Sequence, residues 1–409
     1  MKKFWTIIMT AILVLWSVVT VPAHAQAQID ASAAMMVDAT TGQVIYEQNA
    51  DQKLPIASVS KLLTAMVVED EVKNKQITGD TKVKVNDDIA AVSNDPNYSA
   101  IGLQSGESYT VRELLNAALV KSADGATLAL ATAAGDSMDE FTIKLQQKAQ
   151  KIGLKNYSIV NPVGLTNSDL KNLKSNQYSD NAENAMTARD VAIMARYFVN
   201  HYPQLLQVTA QKQATFYIAK GKSKVGKNLN EMLPGGKYTV PGVQIDGLKT
   251  GTSDAAGACF VSTGRYRGHR IITVVLHANG QNKDNRFVQT QRLYQMLKQN
   301  YHLQTVKVAA NLRQPKIADG AQHQASLGPK QVTAWGTSSP RHYTMAVKYR
   351  TKLVNKQNQL EAPLKRGQVV GSLELSGPGL KSVDKKALTY QLTSTQSILR
   401  GNFFQRLLH

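Results

Sequence analysis

With 409 residues, 43% of them hydrophobic, the chain is long enough for two or three domains with real cores. Charged residues make up 19% and aromatics 6%, which excludes a disordered or fibrous protein. The net charge of +19 is uneven: from Asn300 onward sixteen Lys and Arg face four acids, Asp319, Glu361, Glu374 and Asp384. Such a balance suits a polyanionic partner (nucleic acid, anionic lipid or cell-wall polymer), and equally a merely solvated basic surface.

In chain order, Lys2 and Lys3 precede an apolar run from Phe4 to Val21, followed by Pro22 and Ala23-His24-Ala25. A positive start, an apolar middle and an A-x-A ending read as a secretory signal peptide over residues 1–25, cut after Ala25 or, as second choice, Ala27. An uncleaved anchor is the competing reading, since the run nearly reaches the ~18 residues that a span needs. Export argues against nucleic acid as the polyanion. Two β-rich runs, Ala34–Asp38 and Val44–Glu47, flank Thr41-Gly42 and predict a hairpin. Helices are expected over Lys61–Val68 and Val111–Leu119, and over Ala126–Gly153 with a break near Gly135. Another is expected over Ala188–Val199, N-capped by Thr187. From Gly242 to Ala278 the pattern turns to strands, including Ala258–Thr263 and Ile271–Leu276, and Phe287–Leu297 returns to helix. The expected fold class is therefore α+β, with an antiparallel sheet built from both ends of the segment and a helical insert between them.

Beyond about Tyr301, runs such as Tyr343–Val347 and Gly367–Leu375 predict a small β-rich domain. The division is a signal peptide (1–25), a main α+β domain (26–299), a basic β-rich domain (300–395) and a tail (396–409). In the tail, apolar residues are interleaved with Arg400 and Arg406, as in a short amphipathic segment lying on a membrane surface. A disordered end is the competing reading. The single cysteine, Cys259, cannot form an intramolecular disulfide, and its apolar surroundings make it a small buried hydrophobe.

Three elements carry chemistry. In Ser58-Val59-Ser60-Lys61, Ser and Lys at i and i+3 of a helix start share a face, so the amine can take the hydroxyl proton. Ser60 competes as nucleophile but points elsewhere. In Lys249-Thr250-Gly251, an ammonium and a hydroxyl on a strand edge would hold a substrate carboxylate, and the glycine admits close approach. In Ser122-Ala123-Asp124, the hydroxyl would relay a proton, with Asp124 as acceptor. Each alone is equally well an ordinary cap, strand or turn.

Their order resembles the set shared by penicillin-binding proteins and serine β-lactamases. More closely, the chain resembles the serine D-alanyl-D-alanine carboxypeptidase family of low-molecular-mass penicillin-binding proteins. The resemblance rests on Ala57–Thr64, Asn161-Pro162-Val163-Gly164-Leu165, Thr187-Ala188-Arg189-Asp190 and Asp246–Gly251, and covers about residues 30–300. It implies a β-lactamase/transpeptidase-like domain in which Ser58 is acylated, Lys61 is its base and Ser122 shuttles a proton. Lys249 and Thr250 would bind the terminal carboxylate, and the N–H groups of Ser58 and Thr252 would form the oxyanion hole. Peptidoglycan stem peptides are the implied substrates and β-lactams the covalent inhibitors; no metal or other cofactor is required. The family triplet usually ends in Asn, where this chain has Asp124. An amide donates and accepts, whereas a carboxylate only accepts, and here it would pair with Lys61 or Lys249. One alternative is a catalytically weak penicillin- or wall-binding protein. Another is a class A β-lactamase, but its E-x-x-L-N loop is not matched by Glu183-Asn184-Ala185-Met186-Thr187.

Overall fold

The computed structural model describes residues 28–337 and 342–403. The signal segment, with its cleavage sites, and the last six residues of the tail lie outside the described residues. Among the described residues no helix is long and apolar enough to cross a membrane.

Both ends of the segment 31–278 supply one five-stranded antiparallel sheet. It contains β1 (Ala31–Asp38) and β2 (Val44–Gln48) from the start of the chain. Two further strands, β3 (Gln213–Ala219) and β4 (Lys222–Lys227), form a separate hairpin. The later strands of the main sheet are β5 (Gln244–Ser253), β6 (Gly257–Tyr266) and β7 (His269–Ala278). The order is β5-β6-β7-β1-β2, with Met35 opposite Val274 and Thr250 opposite Phe260. Strand side chains alternate between faces, and here both faces are apolar. Met35, Val37, Val261 and Val274 join the core of the helical insert, whereas Met36, Phe260 and Val275 pack with Phe287, Leu293 and Tyr294.

The insert carries α1 (Lys61–Lys73), α2 (Asp87–Asn94), α3 (Val111–Val120), α4 (Asp124–Ala131), α5 (Met138–Lys151), α6 (Ala188–His201) and α7 (Pro203–Thr209). Helix α8 (Asn285–Asn300) covers the sheet's other face. The expected break near Gly135 is real: α4 ends at Ala131, and Ser137 caps α5 in a capping box with Glu140. Thr187 caps α6 as its sequence suggests, accepting from the Asp190 N–H. Helix α1 is unlike a surface helix. Every residue from Lys61 to Val68 is buried, so the charge at its first position is held inside the protein.

The remaining chain forms β8 (His302–Lys307) and β9 (Gln331–Gly336), paired antiparallel. It also forms β10 (Thr344–Tyr349), β11 (Val369–Ser376) and β12 (Leu388–Ser394), the body of a four-stranded sheet. Trp335 ties this part to the first sheet. Its indole Nε1 donates to buried Asp38 at 3.0 Å, and its backbone N–H and C=O meet the Gln43 amide at 2.8 and 2.6 Å.

Candidate active site

Ser58 lies half-buried in a single 3-10 turn, Ala57–Ser60, which runs straight into α1. At i+3 of this turn, Lys61 Nζ comes to 2.6 Å from Ser58 Oγ. The same nitrogen lies 2.7 Å from Asp124 Oδ1 and donates to the Val163 carbonyl at 3.0 Å. Ser60 is set aside: its hydroxyl is buried and donates to the Ala57 carbonyl at 2.7 Å.

The second hydroxyl, Ser122, sits between α3 and α4 at a φ of 62°, a left-handed conformation that a serine adopts only under constraint. That turn aims Ser122 Oγ at Lys249 Nζ, 2.8 Å away. Lys249 also donates to the Thr250 carbonyl at 2.8 Å and is 2% exposed. Strand β5 is an edge of its sheet, and Gly251 lets it press against the Ser58 turn. A Cβ at Gly251 would lie 2.4 Å from the Ile56 carbonyl oxygen. Thr252, at the exposed end of the strand, accepts from Arg286 of α8 through its hydroxyl at 2.8 Å.

Electrostatically the site holds two buried amines and one buried carboxylate. Burial lowers the Lys61 amine below its ordinary value, and the Asp124 charge opposes that shift. Lys249 is held well below the ordinary lysine value, chiefly by burial and then by the Lys61 and Arg286 charges, with Asp124 opposing. Both Asp124 oxygens are engaged inside the protein, Oδ1 on Lys61 and Oδ2 accepting from the Ser99 N–H at 2.8 Å. Of the two lysines named as partners from sequence, the carboxylate bonds Lys61. The Cys259 thiol is fully buried and pushed up to about 11, chiefly by that burial, so it remains a core residue rather than a nucleophile.

Several contacts at the site went unread in the sequence, even where, as at Asn161–Leu165, the residues themselves carry part of the family resemblance. Arg286 comes from a helix 35 positions beyond Gly251 and donates to that residue's carbonyl at 3.1 Å. Ser99 contributes a backbone N–H, which no side-chain pattern reveals. Glu183 accepts from Ser253 Oγ at 2.9 Å and lies at the rim, its carboxyl raised chiefly by burial. The segment Asn161–Leu165 serves through its backbone: Val163 O receives Lys61 and Pro162 O receives Thr64 Oγ1 at 2.6 Å.

A half-buried serine on a buried lysine at the start of a central helix, facing a Lys-Thr-Gly edge strand across a serine turn, defines a serine acyl-enzyme hydrolase of the penicillin-binding type. The family model described as D-alanyl-D-alanine carboxypeptidase matches residues 20–280, and the chain belongs to that family. D-alanyl-D-alanine carboxypeptidase DacC of Escherichia coli is 28% identical, over 93% of this chain and 87% of its own. Among solved structures, a peptidoglycan synthesis regulatory factor (PBP3) from Streptococcus pneumoniae is 30% identical with a TM-score of 0.80. That match covers 91% of this chain and 100% of the other. Penicillin-binding protein D2 of Listeria monocytogenes, in its ampicillin-bound form, is 27% identical with a TM-score of 0.53. It covers 66% of this chain and 98% of its own.

Proposed function

We propose that the chain removes the terminal D-alanine from peptidoglycan stem peptides through an acyl-enzyme on Ser58. The observation that carries this reading is the contact of a buried Lys61 amine with the Ser58 hydroxyl, beside an edge strand bearing Lys249 and Thr250. The Ser58 oxygen attacks the carbonyl between the two D-alanines as its proton passes to Lys61. The oxyanion is received by the N–H groups of Ser58 and Thr252. As the C–N bond breaks, Ser122 relays a proton to the departing D-alanine amine, whose carboxylate is held by Lys249 and Thr250. Water then hydrolyses the ester, returning the Ser58 hydroxyl and releasing the shortened peptide. A β-lactam acylates Ser58 by the same attack, but its ring-opened amine stays tethered.

The test is D-alanine release from a peptide ending in D-Ala-D-Ala. The parent should release it, and Ser58→Ala should lower the rate by at least about 10³-fold. Release by the variant at the parental rate would remove Ser58 from the reaction. Penicillin labelling of the parent without D-alanine release would instead favour a binding protein with feeble turnover.

The chain acts outside the cytoplasm in this reading, after export directed by residues 1–25. Its basic β-rich region, which we take to begin near residue 300, holds the site against an anionic membrane or wall polymer. Support comes from Arg350, Lys352, Lys356, Lys365 and Arg366, five exposed cations within residues 350–366. Leu399 and Phe403 at the tail are 73% and 65% exposed, as expected of a segment that lies on lipid.

A further inference from the structure

Asp124 stands where the family pattern has an amide, and its surroundings fit a carboxylate. Both groups facing its oxygens are donors: Lys61 Nζ at 2.7 Å and the Ser99 N–H at 2.8 Å. An amide has one accepting and one donating end, so one contact would set donor against donor. The pairing is fixed from both sides. Asp124 N–H donates to Ser99 O at 3.1 Å, and Ser99 Oγ donates to Lys121 O at 2.7 Å.

The proton inventory at Lys61 follows from its contacts. The nitrogen meets Ser58 Oγ, Asp124 Oδ1 and Val163 O. As an amine it donates two N–H groups to Asp124 and Val163 and turns its lone pair to the Ser58 hydroxyl. As an ammonium it donates to all three, and Ser58 has no base. The two states differ by one proton without any change of partner. We propose that Asp124 is a positioning residue of a Ser58–Lys61–Asp124 relay, aiming the Lys61 lone pair at Ser58 and setting the pH at which acylation switches on.

The charges facing Lys61 give the sign. Asp124 of α4 favours the ammonium, whereas Lys249 of β5, itself beside Arg286 of α8, favours the amine, as burial does. Removing the carboxylate charge therefore extends the amine state, and with it acylation, to lower pH.

The inference rests on the acyl-enzyme reading above, and the experiment separates the two. Acylation of the full chain by a chromogenic cephalosporin is followed against pH for the parent, Asp124→Asn and Asp124→Glu. In Asp124→Asn the acid limb should move about 1–3 pH units lower. In Asp124→Glu, which keeps the charge, the limb should stay in place at a reduced rate. An unmoved limb with a uniformly lower rate in Asp124→Asn would overturn the relay and leave Asp124 a structural role only. If Asp124→Asn does not fold, by thermal unfolding, the parent alone decides. Ammonium ionisation is strongly temperature-dependent and carboxylate ionisation is not, so a parental limb that stays put on warming overturns the proposal. Ser58→Ala that kept D-alanine release would sink the acyl-enzyme reading instead, whatever the limb does.

Discussion

At Gly164 the backbone φ is 88°, and a Cβ there would lie 2.0 Å from the Ala57 carbonyl oxygen. The Asn161 side chain fixes this turn by accepting from the Val163 and Gly164 N–H groups at 3.0 and 2.7 Å. The turn in turn presents Val163 O to Lys61. A side chain at residue 164 would therefore meet both a left-handed backbone and the Ser58 turn. Gly164→Ala should cost about 2–4 kcal/mol in urea unfolding and slow Ser58 acylation at every pH. At this scale the candidate reactive side chains could be named because Ser, Lys and Thr chemistry is written in residue type. The partners that tune them were not, since Val163 and Ser99 act through backbone atoms and Arg286 arrives from a distant helix.

The elements carry these residues because their ends are fixed. Thr110 caps α3 in a capping box with Glu113, and the far end of α3 leads into the Ser122 turn. Thr110→Ala should lower stability by about 1 kcal/mol in urea unfolding while leaving the pH limb of acylation in place. Such ends are local, which is why α1, α3, α6 and α8 and the interruption between α4 and α5 could be read from the sequence. Helix α2 was missed although Asn86 caps it, accepting from the Ile89 N–H at 2.9 Å. It has only eight residues, too few for a periodic pattern to stand out. The β3–β4 hairpin was missed because Lys222–Lys227 is mostly exposed and lacks the apolar alternation of a half-buried strand.

For the molecule as a whole, the docking of the last hundred residues is specific. Val383 donates its N–H to Gly42 O, and Arg189 bonds Asp51 at 2.7 Å and Glu47 at 2.9 Å beside it. Truncation near residue 300 would strip the buried Gln43 side chain of both its Trp335 bonds and remove the indole donor from Asp38, so surface charge is the better probe of the basic region. Replacing Arg350, Lys352 and Lys356 with Gln should weaken binding to anionic vesicles or wall polymer by roughly 100-fold, at about 1 kcal/mol per cation. Parental binding should fall steeply with salt. Equal binding by parent and variant would return these cations to the role of a solvated surface, and D-alanine release should be the same in both.

The sequence by itself determined the α+β class and the main helices and strands, and it nominated Ser58, Lys61, Ser122, Lys249 and Thr250 as the reactive set proposed above. Periodicity and residue type are local properties that survive without coordinates. Only the tertiary structure decided that β1 lies beside β7, which places residues more than two hundred positions apart on adjacent strands. It alone decided which lysine Asp124 meets, because that depends on where α1, α4 and β5 converge. The protonation chemistry of Lys61 belongs to that convergence, since burial and the facing charges act through space and leave no trace along the chain.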